Sequence, residues 1–239
     1  MKTTINNWLK NNQWLKFNHF TQLIFKQNCL LCAIATDNNI GICQNCTDEL
    51  PYSPASSCPQ CGLSSNSLIC GSCLNSPPDF DITRAVFIYA FPIDAMMQRY
   101  KYGDALHISR TFGKFLVEEI DLNSIDLIIP MPMHPARLKE RGFNQALEIA
   151  KVFSGNKLDY TSAIRQKLTP PQASLPFKAR VKNIKGAFAI NNSLTGKRVA
   201  IVDDVMTTGA SLNELAKTLK KAGASHVECW VVARTLPPK

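Results

Sequence analysis

The sequence predicts an α/β protein in which a largely parallel sheet, with helices on both faces, follows a small cysteine-rich module. Two observations support this fold class. Eight of the nine cysteines lie between residues 29 and 73, in four Cys-x-x-Cys pairs. After the linker Ser76-Pro77-Pro78, apolar runs of strand length alternate with helical patterns, and such alternation is typical of parallel sheets.

The length of 239 residues suits one full domain with a small appendage. We expect an N-terminal amphipathic segment over residues 1–27, the cysteine-rich module over 28–78 and the α/β domain over 79–239. Within the first segment, residues 5–25 are predicted to form an amphipathic helix that packs on its own domain. A membrane or partner surface is the alternative for that helix.

The four cysteine pairs predict two structural zinc sites, a double zinc-ribbon module. Each pair forms a tight knuckle that aims both sulfurs at one point, and two knuckles supply the four thiolates that zinc binds. The shortest loops pair the first knuckle with the second and the third with the fourth, and an interleaved pairing is also open. A disulfide framework would require an oxidising compartment. The expected ligands are Cys29, Cys32, Cys43, Cys46, Cys58, Cys61, Cys70 and Cys73.

The α/β domain is predicted to contain four strands and four helices. Strands are expected at Ala85 to Phe91, Ile125 to Ile129, Arg198 to Val202 and His226 to Ala233; helices are expected at Pro92 to Tyr100, Ala105 to Ile120, Arg137 to Phe153 and Ser211 to Ala222. The ninth cysteine, Cys229, lies in an apolar run and is expected in the core. Ligands of parallel sheets bind at the carboxyl ends of the strands, so the loops after these strands are the candidate site.

The charge distribution is compatible with phosphate-rich partners. The net charge is +9, and residues 160–202 contain no acid. A solvated basic face is the alternative for this stretch. Its basic residues are Arg165, Lys167, Lys178, Arg180, Lys182, Lys185, Lys197 and Arg198.

The sequence shows neither of the usual signs of membrane insertion or export. No apolar run reaches the roughly 20 residues that span a bilayer. The N-terminus is interrupted by lysines and has no small-residue cleavage site, unlike a signal peptide. We therefore expect a cytoplasmic protein, with a peripheral position at the inner membrane face left open.

The segment from Val199 to Ser211 is the most informative part of the chain. An apolar strand leads to the carboxylates of Asp203 and Asp204, and a short Thr-Thr-Gly loop then opens a helix. The two carboxylates can accept hydrogen bonds from the cis-diol of a ribose. Hydroxyls and backbone N–H groups around Gly209 can surround a phosphate, which the positive end of the following helix also favours.

This segment resembles the signature with which type I phosphoribosyltransferases bind phosphoribosyl pyrophosphate (PRPP). The shared pattern is four apolar residues, two acids, an apolar pair and Thr-Thr-Gly. The resemblance implies a type I phosphoribosyltransferase-like sheet and Mg²⁺ as the companion of PRPP. The residues implied to hold ribose 5-phosphate are Asp203, Asp204, Val205, Met206, Thr207, Thr208, Gly209, Ala210 and Ser211.

Further motifs resemble the ComF family, whose members join a zinc finger to a phosphoribosyltransferase-like body and are associated with competence. The motifs are Lys101-Tyr102-Gly103, Arg141-Gly142-Phe143-Asn144-Gln145-Ala146, Thr169-Pro170-Pro171-Gln172-Ala173 and Gly186-Ala187-Phe188. One departure is Pro135-Ala136, where family members are commonly more basic. The resemblance implies a pyrophosphate-binding loop at 132–135 with His134 and Arg137 as contacts. It also implies a closing loop at 165–185 that brings Lys178 and Arg180 to the pyrophosphate.

Two functions are compatible with this sequence. The resemblance favours PRPP binding in DNA uptake and natural transformation, with single-stranded DNA and other competence proteins as partners. The alternative is an active phosphoribosyltransferase that transfers ribose 5-phosphate from PRPP to a nucleobase or amine, although no acceptor pocket is identified. Turnover and oligomeric state stay open, and a dimer would be ordinary among phosphoribosyltransferases.

Overall fold

The computed structural model describes residues 27–103, 105–153, 155–168 and 183–237. This part of the chain forms two compact units, one ending at Glu49 and the other beginning at Leu50. The first four cysteines belong to the smaller unit, and the next four belong to the unit that contains the main sheet. The amphipathic helix predicted within residues 5–25 lies outside the described residues.

The smaller unit contains a short hairpin and a helix of little more than one turn. Strands β1 (Gln27–Asn28) and β2 (Ala35–Thr36) pair antiparallel, and helix α1 spans Gln44–Asp48. The Asn38 side chain shapes the next turn, because its Oδ1 accepts hydrogen bonds from the N–H groups of Ile40 and Gly41 (3.1 and 3.0 Å). Such local side-chain bonds replace the core that so short a unit lacks.

The larger unit alternates strands and helices as predicted. Its elements are α2 (Gly71–Asn75), β3 (Ile82–Ile88), α3 (Ile93–Tyr102), α4 (Ile108–Glu119), β4 (Leu127–Pro130), α5 (Pro135–Arg141), α6 (Gln145–Ala150), β5 (Ala163–Arg165), β6 (Phe188–Ile190), β7 (Arg198–Met206), α7 (Ala210–Lys221) and β8 (His226–Arg234). Single 3₁₀ turns cover Leu122–Ser124 and Lys151–Phe153.

The main sheet has the strand order β3-β8-β7-β4, and all of its pairs are parallel. Strands β5 and β6 form a separate antiparallel pair. The central strands β7 and β8 are buried along almost their whole length. That is expected of parallel strands covered on both faces, and it confirms the predicted fold class.

Side chains that alternate along the central strands point to two different helical layers. One set, which includes Val199, Ile201 and the fully buried Cys229, packs with Leu215 and Leu219 of α7 in a single apolar cluster. On the other face, α4 packs against β3 and β8, and α6 packs against β4 and β7. Helices therefore cover both faces, and Cys229 is a core residue as expected.

Two predicted elements differ from those in the structure. The helix expected from Arg137 to Phe153 is broken, because Gly142 has a left-handed φ of 85° and ends α5. Asn144 then caps the new helix α6 through its side chain. Strand β7 is longer than predicted, because pairing with β8 continues to Met206 opposite Arg234. Asp203 and Asp204 therefore lie within the last turns of the ladder rather than beyond its end.

The chain between residues 51 and 62 joins the second cysteine group to the edge strand β3. Ser53 N donates to Val86 O (2.8 Å), and Ile88 N donates to Pro51 O (2.7 Å). Thr83 N donates to Pro59 O (2.8 Å), directly beside the knuckle that begins at Cys58. These bonds cover the main-chain groups of β3, which would otherwise form an open sheet edge.

Candidate functional site

A pocket of about 530 Å³ opens at the carboxyl ends of the parallel strands. Its walls come from the residues that follow each strand: Tyr89 after β3, Met131 after β4, Thr207 after β7 and Thr235 after β8. This is where ligands of open α/β sheets bind. Most of the predicted PRPP segment lines the pocket: Asp203, Asp204, Val205, Met206, Thr207, Gly209, Ala210 and Ser211.

The turn between β7 and α7 depends on Gly209. This residue has a φ of 76° and is the N-cap of the helix. A Cβ at this position would lie 2.7 Å from Met206 Cε. Thr208 Oγ1 accepts a hydrogen bond from Ala210 N (3.2 Å), so its hydroxyl stabilises the turn, and Thr208 is not among the pocket-lining residues. The main-chain N–H groups that follow point outwards from the first turn of α7, as in anion sites at helix starts.

Asp203 and Asp204 lie side by side and share one cation. Lys101 Nζ, from the end of α3, is 2.8 Å from Asp204 Oδ2. Burial, and then the neighbouring Asp204 charge, raise the pKa of Asp203 to about 8. Burial alone would lower the pKa of Lys101, but the attraction of Asp204 outweighs it and the pKa is raised. The pair therefore carries less negative charge near neutral pH than two free carboxylates would.

The carboxylates also bond the strand that carries them. Asp203 Oδ1 accepts from Asp204 N (2.9 Å), and Asp204 Oδ1 accepts from Val205 N (2.6 Å). These local bonds fix the side-chain direction of both acids. They leave Asp203 half-buried against the pocket, where its second oxygen is placed to meet a hydroxyl.

Basic side chains line another part of the pocket, and they include Arg137, Arg141 and Arg165. Burial, together with the positive charge of Arg137, lowers the pKa of Arg165, so these two guanidiniums lie close enough to repel each other. Arg141 lies over the exposed ring of Tyr102, with Cζ 5.2 Å from the ring centroid. A cluster of like charges in a pocket favours an anionic ligand.

Not every predicted contact comes to the pocket. His134 is the N-cap of α5, where its Nδ1 accepts from Ala136 N (3.2 Å), and it is not a lining residue. Lys178 and Arg180 lie outside the described residues. The loop from Pro132 to Met133 does line the pocket, and Asn144 supports its start by donating from Nδ2 to Met131 O (3.1 Å).

Three further residues near the pocket received no role from the sequence. Lys101 was noted only as part of a family motif. Gln145 is 4% exposed and lines the pocket, and its Nε2 has no hydrogen-bond partner among the described residues. Arg234 ends the apolar strand β8 but is buried. A charged residue that closes an apolar run was the available signal for Arg234.

The cysteines form two separate four-sulfur groups. Within each group all four sulfurs lie within 4.8 Å of one another, and the groups pair the first knuckle with the second and the third with the fourth. The Cys32–Cys43 and Cys61–Cys70 sulfur distances are both 3.6 Å. Tetrahedral zinc with Zn–S bonds of about 2.3 Å requires sulfurs about 3.8 Å apart, so both groups fit zinc. This confirms the predicted ligand sets and their pairing.

Backbone N–H groups prepare one sulfur in each group for metal binding. Burial opposes ionisation of Cys29, but hydrogen bonds from backbone groups of Cys32 and Cys43 lower its pKa to about 6. The pKa of Cys58 is lowered to about 7 in the same way, against the effect of burial, by backbone groups of Cys70 and Cys61. Zinc binds the thiolate form.

Across the part of the chain that the structure describes, we find no helix that combines the length and the apolar character needed to cross a membrane.

Comparison with known proteins agrees with this architecture. The family model of the phosphoribosyl transferase domain matches residues 138–236, and that of the double zinc ribbon domain matches residues 20–74. Competence protein F of Haemophilus influenzae is 33% identical, over 81% of this chain and 90% of its own length. DNA utilization protein YhgH of Escherichia coli O6:H1 is 31% identical, over 87% of this chain and 97% of its own. Competence protein ComFC of Streptococcus pneumoniae is 26% identical, over 86% and 99%. The chain therefore belongs to the ComF family of competence proteins.

Proposed function

We propose that this protein binds PRPP, or a closely related ribose 5-phosphate compound, in the pocket at the end of β7, and that it does so in DNA uptake or utilisation. The observation that carries the binding proposal is the convergence of Asp203, Asp204 and the Gly209 turn on one pocket. The biological setting comes from the names of the relatives, which are competence and DNA utilization proteins.

The phosphate group of the ligand is assigned to the start of α7. The turn supplies main-chain N–H groups, and the Ser211 side chain lies on the pocket wall. Helix α7 is 12 residues long, so its aligned peptide dipoles add to the attraction for a dianion. Thr208 already caps Ala210 N, which leaves the neighbouring donors for the ligand.

The ribose is assigned to the acidic pair. A cis-diol presents two hydroxyl donors, and adjacent carboxylates are matched acceptors for them. Lys101 keeps the second carboxylate from repelling the first. A free phosphate lacks the diol, so this half of the pocket selects a sugar phosphate over an inorganic anion.

The pyrophosphate is assigned to the basic wall. Arg137 and Arg165 line the pocket and would neutralise the charge of PRPP together with Mg²⁺ that arrives on its phosphate oxygens. Gln145 Nε2 is a further donor in this wall. Contacts from His134, Lys178 and Arg180 stay predictions.

Single-stranded DNA and other competence proteins remain proposed partners. They are supported by the relatives' names and by the acid-free, basic stretch over residues 160–202. Phosphate contacts of this kind weaken steeply as salt concentration rises. The alternative interpretation, an active phosphoribosyltransferase, gains no support from the relatives, and we do not propose turnover.

Titration calorimetry with Mg²⁺ and PRPP tests the binding proposal. The double variant Asp203→Asn/Asp204→Asn loses two hydrogen bonds to charged acceptors, each of about 1.5–3 kcal/mol, so affinity should fall at least about 100-fold. Asp126→Asn is a matched control, because Asp126 accepts from Arg198 N (2.9 Å) at the other end of β7. Equal affinity in the double variant and the wild type would reject the site.

A separate measurement tests the DNA proposal. Binding of a fluorescent single-stranded oligonucleotide should weaken progressively between about 50 and 200 mM salt. No measurable binding at the lowest salt would remove direct DNA contact from the proposal and leave the PRPP site untouched.

A further inference from the structure

Arg234 connects two parts of the larger unit that the sequence treats separately. Its side chain is buried, with 5% of the residue exposed. Nε donates to Cys61 O (2.8 Å), in the second cysteine group. Nη1 donates to Met206 O (2.9 Å) and also to Thr207 O, where the ligand turn begins. One guanidinium thus bonds both the zinc knuckle and the ligand turn.

The bonds of Arg234 fix main chain rather than side chains. Cys61, Met206, Thr207 and Thr235 all accept through backbone carbonyl oxygens, the last at 2.9 Å. A buried guanidinium is stable only when its donors are satisfied. Its planar, rigid arrangement of donors makes the geometry of all four carbonyls interdependent. If one carbonyl moves, the arginine must adjust or lose a bond.

The Cys61 side of this junction is itself held by the sheet. Thr83 of β3 bonds the backbone at Pro59 and, through Oγ1, at Gln60. Gly62 packs on Thr83, where a Cβ would lie 3.1 Å from its methyl group. The knuckle is therefore set by β3 from one side and by the metal ligands from the other, and its carbonyl reaches Arg234.

We infer that Arg234 is a positioning residue that couples the second cysteine site to the ligand turn. Metal bound by Cys58, Cys61, Cys70 and Cys73 fixes the Cys61 carbonyl. This carbonyl holds the guanidinium, and the guanidinium orders Met206 and Thr207 for the ligand. The coupling to PRPP rests on the proposed function; the ordering of the turn does not. Such coupling is reciprocal, so the ligand in turn stabilises the metal site.

Hydrogen–deuterium exchange of the full chain tests the ordering of the turn without any ligand. A full-length variant with Cys32→Ser and Cys46→Ser restricts zinc to the second site. Removal of that zinc by a chelator should raise exchange in residues 205–210 about tenfold, while residues 199–201 at the start of β7 change little. Unchanged exchange at 205–210 would overturn the inference.

Substitution of Arg234 supplies the second arm. With zinc bound, Arg234→Met should already show the fast exchange at 205–210, and Arg234→Lys should restore part of the protection. Arg198→Met is the matched control, because Arg198 Nε also donates to a backbone carbonyl, Ser124 O (2.6 Å), at the opposite end of β7. If Arg234→Met does not fold, Arg234→Lys and zinc removal from the wild-type arginine decide the question. Full protection in Arg234→Lys after zinc removal would contradict the coupling.

Reciprocity separates this inference from the proposed function. Saturating Mg²⁺ and PRPP should slow zinc transfer from the second site to a chromogenic chelator about tenfold, and much less in Arg234→Lys. If calorimetry shows PRPP binding but the zinc rate is unchanged, the coupling fails and the proposed function stands. If PRPP does not bind, the proposed function fails, and the exchange experiment still decides the ordering of the turn.

Discussion

The two ends of strand β7 use polar side chains in opposite ways. At the start, Arg198 and Asp126 are consumed by backbone bonds: Arg198 Nε donates to Ser124 O (2.6 Å), and Arg198 N donates to Asp126 (2.9 Å). At the carboxyl end, Asp203 and Asp204 lie side by side beside a pocket and share Lys101. The start is a structural junction. The other end keeps adjacent like charges that cost stability, and such arrangements mark sites that serve a ligand.

The largest expected effect comes from Gly209→Ala, which tests whether the turn at the carboxyl end is built for binding. A left-handed φ costs a residue with a Cβ about 1–3 kcal/mol, and the added carbon would meet Met206 Cε at 2.7 Å. The turn should shift to relieve this contact, and PRPP affinity measured by calorimetry should fall about tenfold to 100-fold, as that energy range implies.

Gly142→Ala is the matched control for that measurement. Gly142 has a similar φ of 85°, but a Cβ there would meet nothing within 4 Å. This variant should lose stability to the same backbone cost and bind PRPP almost as well as the wild type. Equal losses of affinity in the two variants would show that the turn has no special part in binding.

A smaller effect is expected from Lys101→Met, which removes the cation at the carboxyl end. Breaking a largely buried ion pair leaves an uncompensated charge, and urea denaturation should show a loss of about 2 kcal/mol. Lys101 lowers the pKa of Asp203 against the larger effect of burial, so this pKa should rise in the variant when carboxyl signals are followed by NMR.

Lys157→Met is the counterpart near the start of the sheet. Lys157 Nζ donates to the carbonyls of Leu122 and Ile125 (2.6 and 2.7 Å), so its loss should also lower stability. It should leave the pKa of Asp203 unchanged. A shift of that pKa in both variants would mean that the two ends are not electrically distinct.

The smallest effect is the pH dependence that Asp203 contributes to stability. Its folded pKa of about 8 lies above the unfolded value of about 3.9, so the unfolded chain releases this proton first. Stability from this group is therefore fully present below pH 4 and is lost as pH rises towards 8. Asp203→Asn lacks this loss, so its stability relative to the wild type should increase across that window in denaturation series. A constant difference from pH 5 to pH 8 would contradict the prediction.

The sequence was sufficient wherever the information is local. Each Cys-x-x-Cys knuckle carries its own geometry, so the ligands and the pairing of neighbouring knuckles were predictable. The acids and the Gly209 turn follow one another along the chain, so they could be predicted to share a site without knowledge of the remaining fold. The break at Gly142 is also local, but a glycine followed by Asn144 in an otherwise helical pattern did not outweigh the apolar periodicity.

What the sequence could not supply depends on distant partners. Strand β7 continues to Met206 because β8 reaches Arg234 beside it. The ion pair between Lys101 and Asp204 joins the end of α3 to β7, and neither residue predicts the other. Arg234 and Cys61 are 173 positions apart, so their contact follows only from the way the second cysteine group attaches to the sheet.

The attachment of residues 51–62 to β3 also determines where the protein can be divided. Ser53 and Ile88 exchange main-chain bonds across this edge, and Pro59 accepts from Thr83. A truncated protein that begins at residue 79 would keep every residue of the parallel sheet and still bare one border of it. Exposed borders of this kind recruit further strands and promote aggregation. Division at the boundary between Glu49 and Leu50 spares that border, so the second zinc ribbon is best treated as the outermost layer of the nucleotide-type domain.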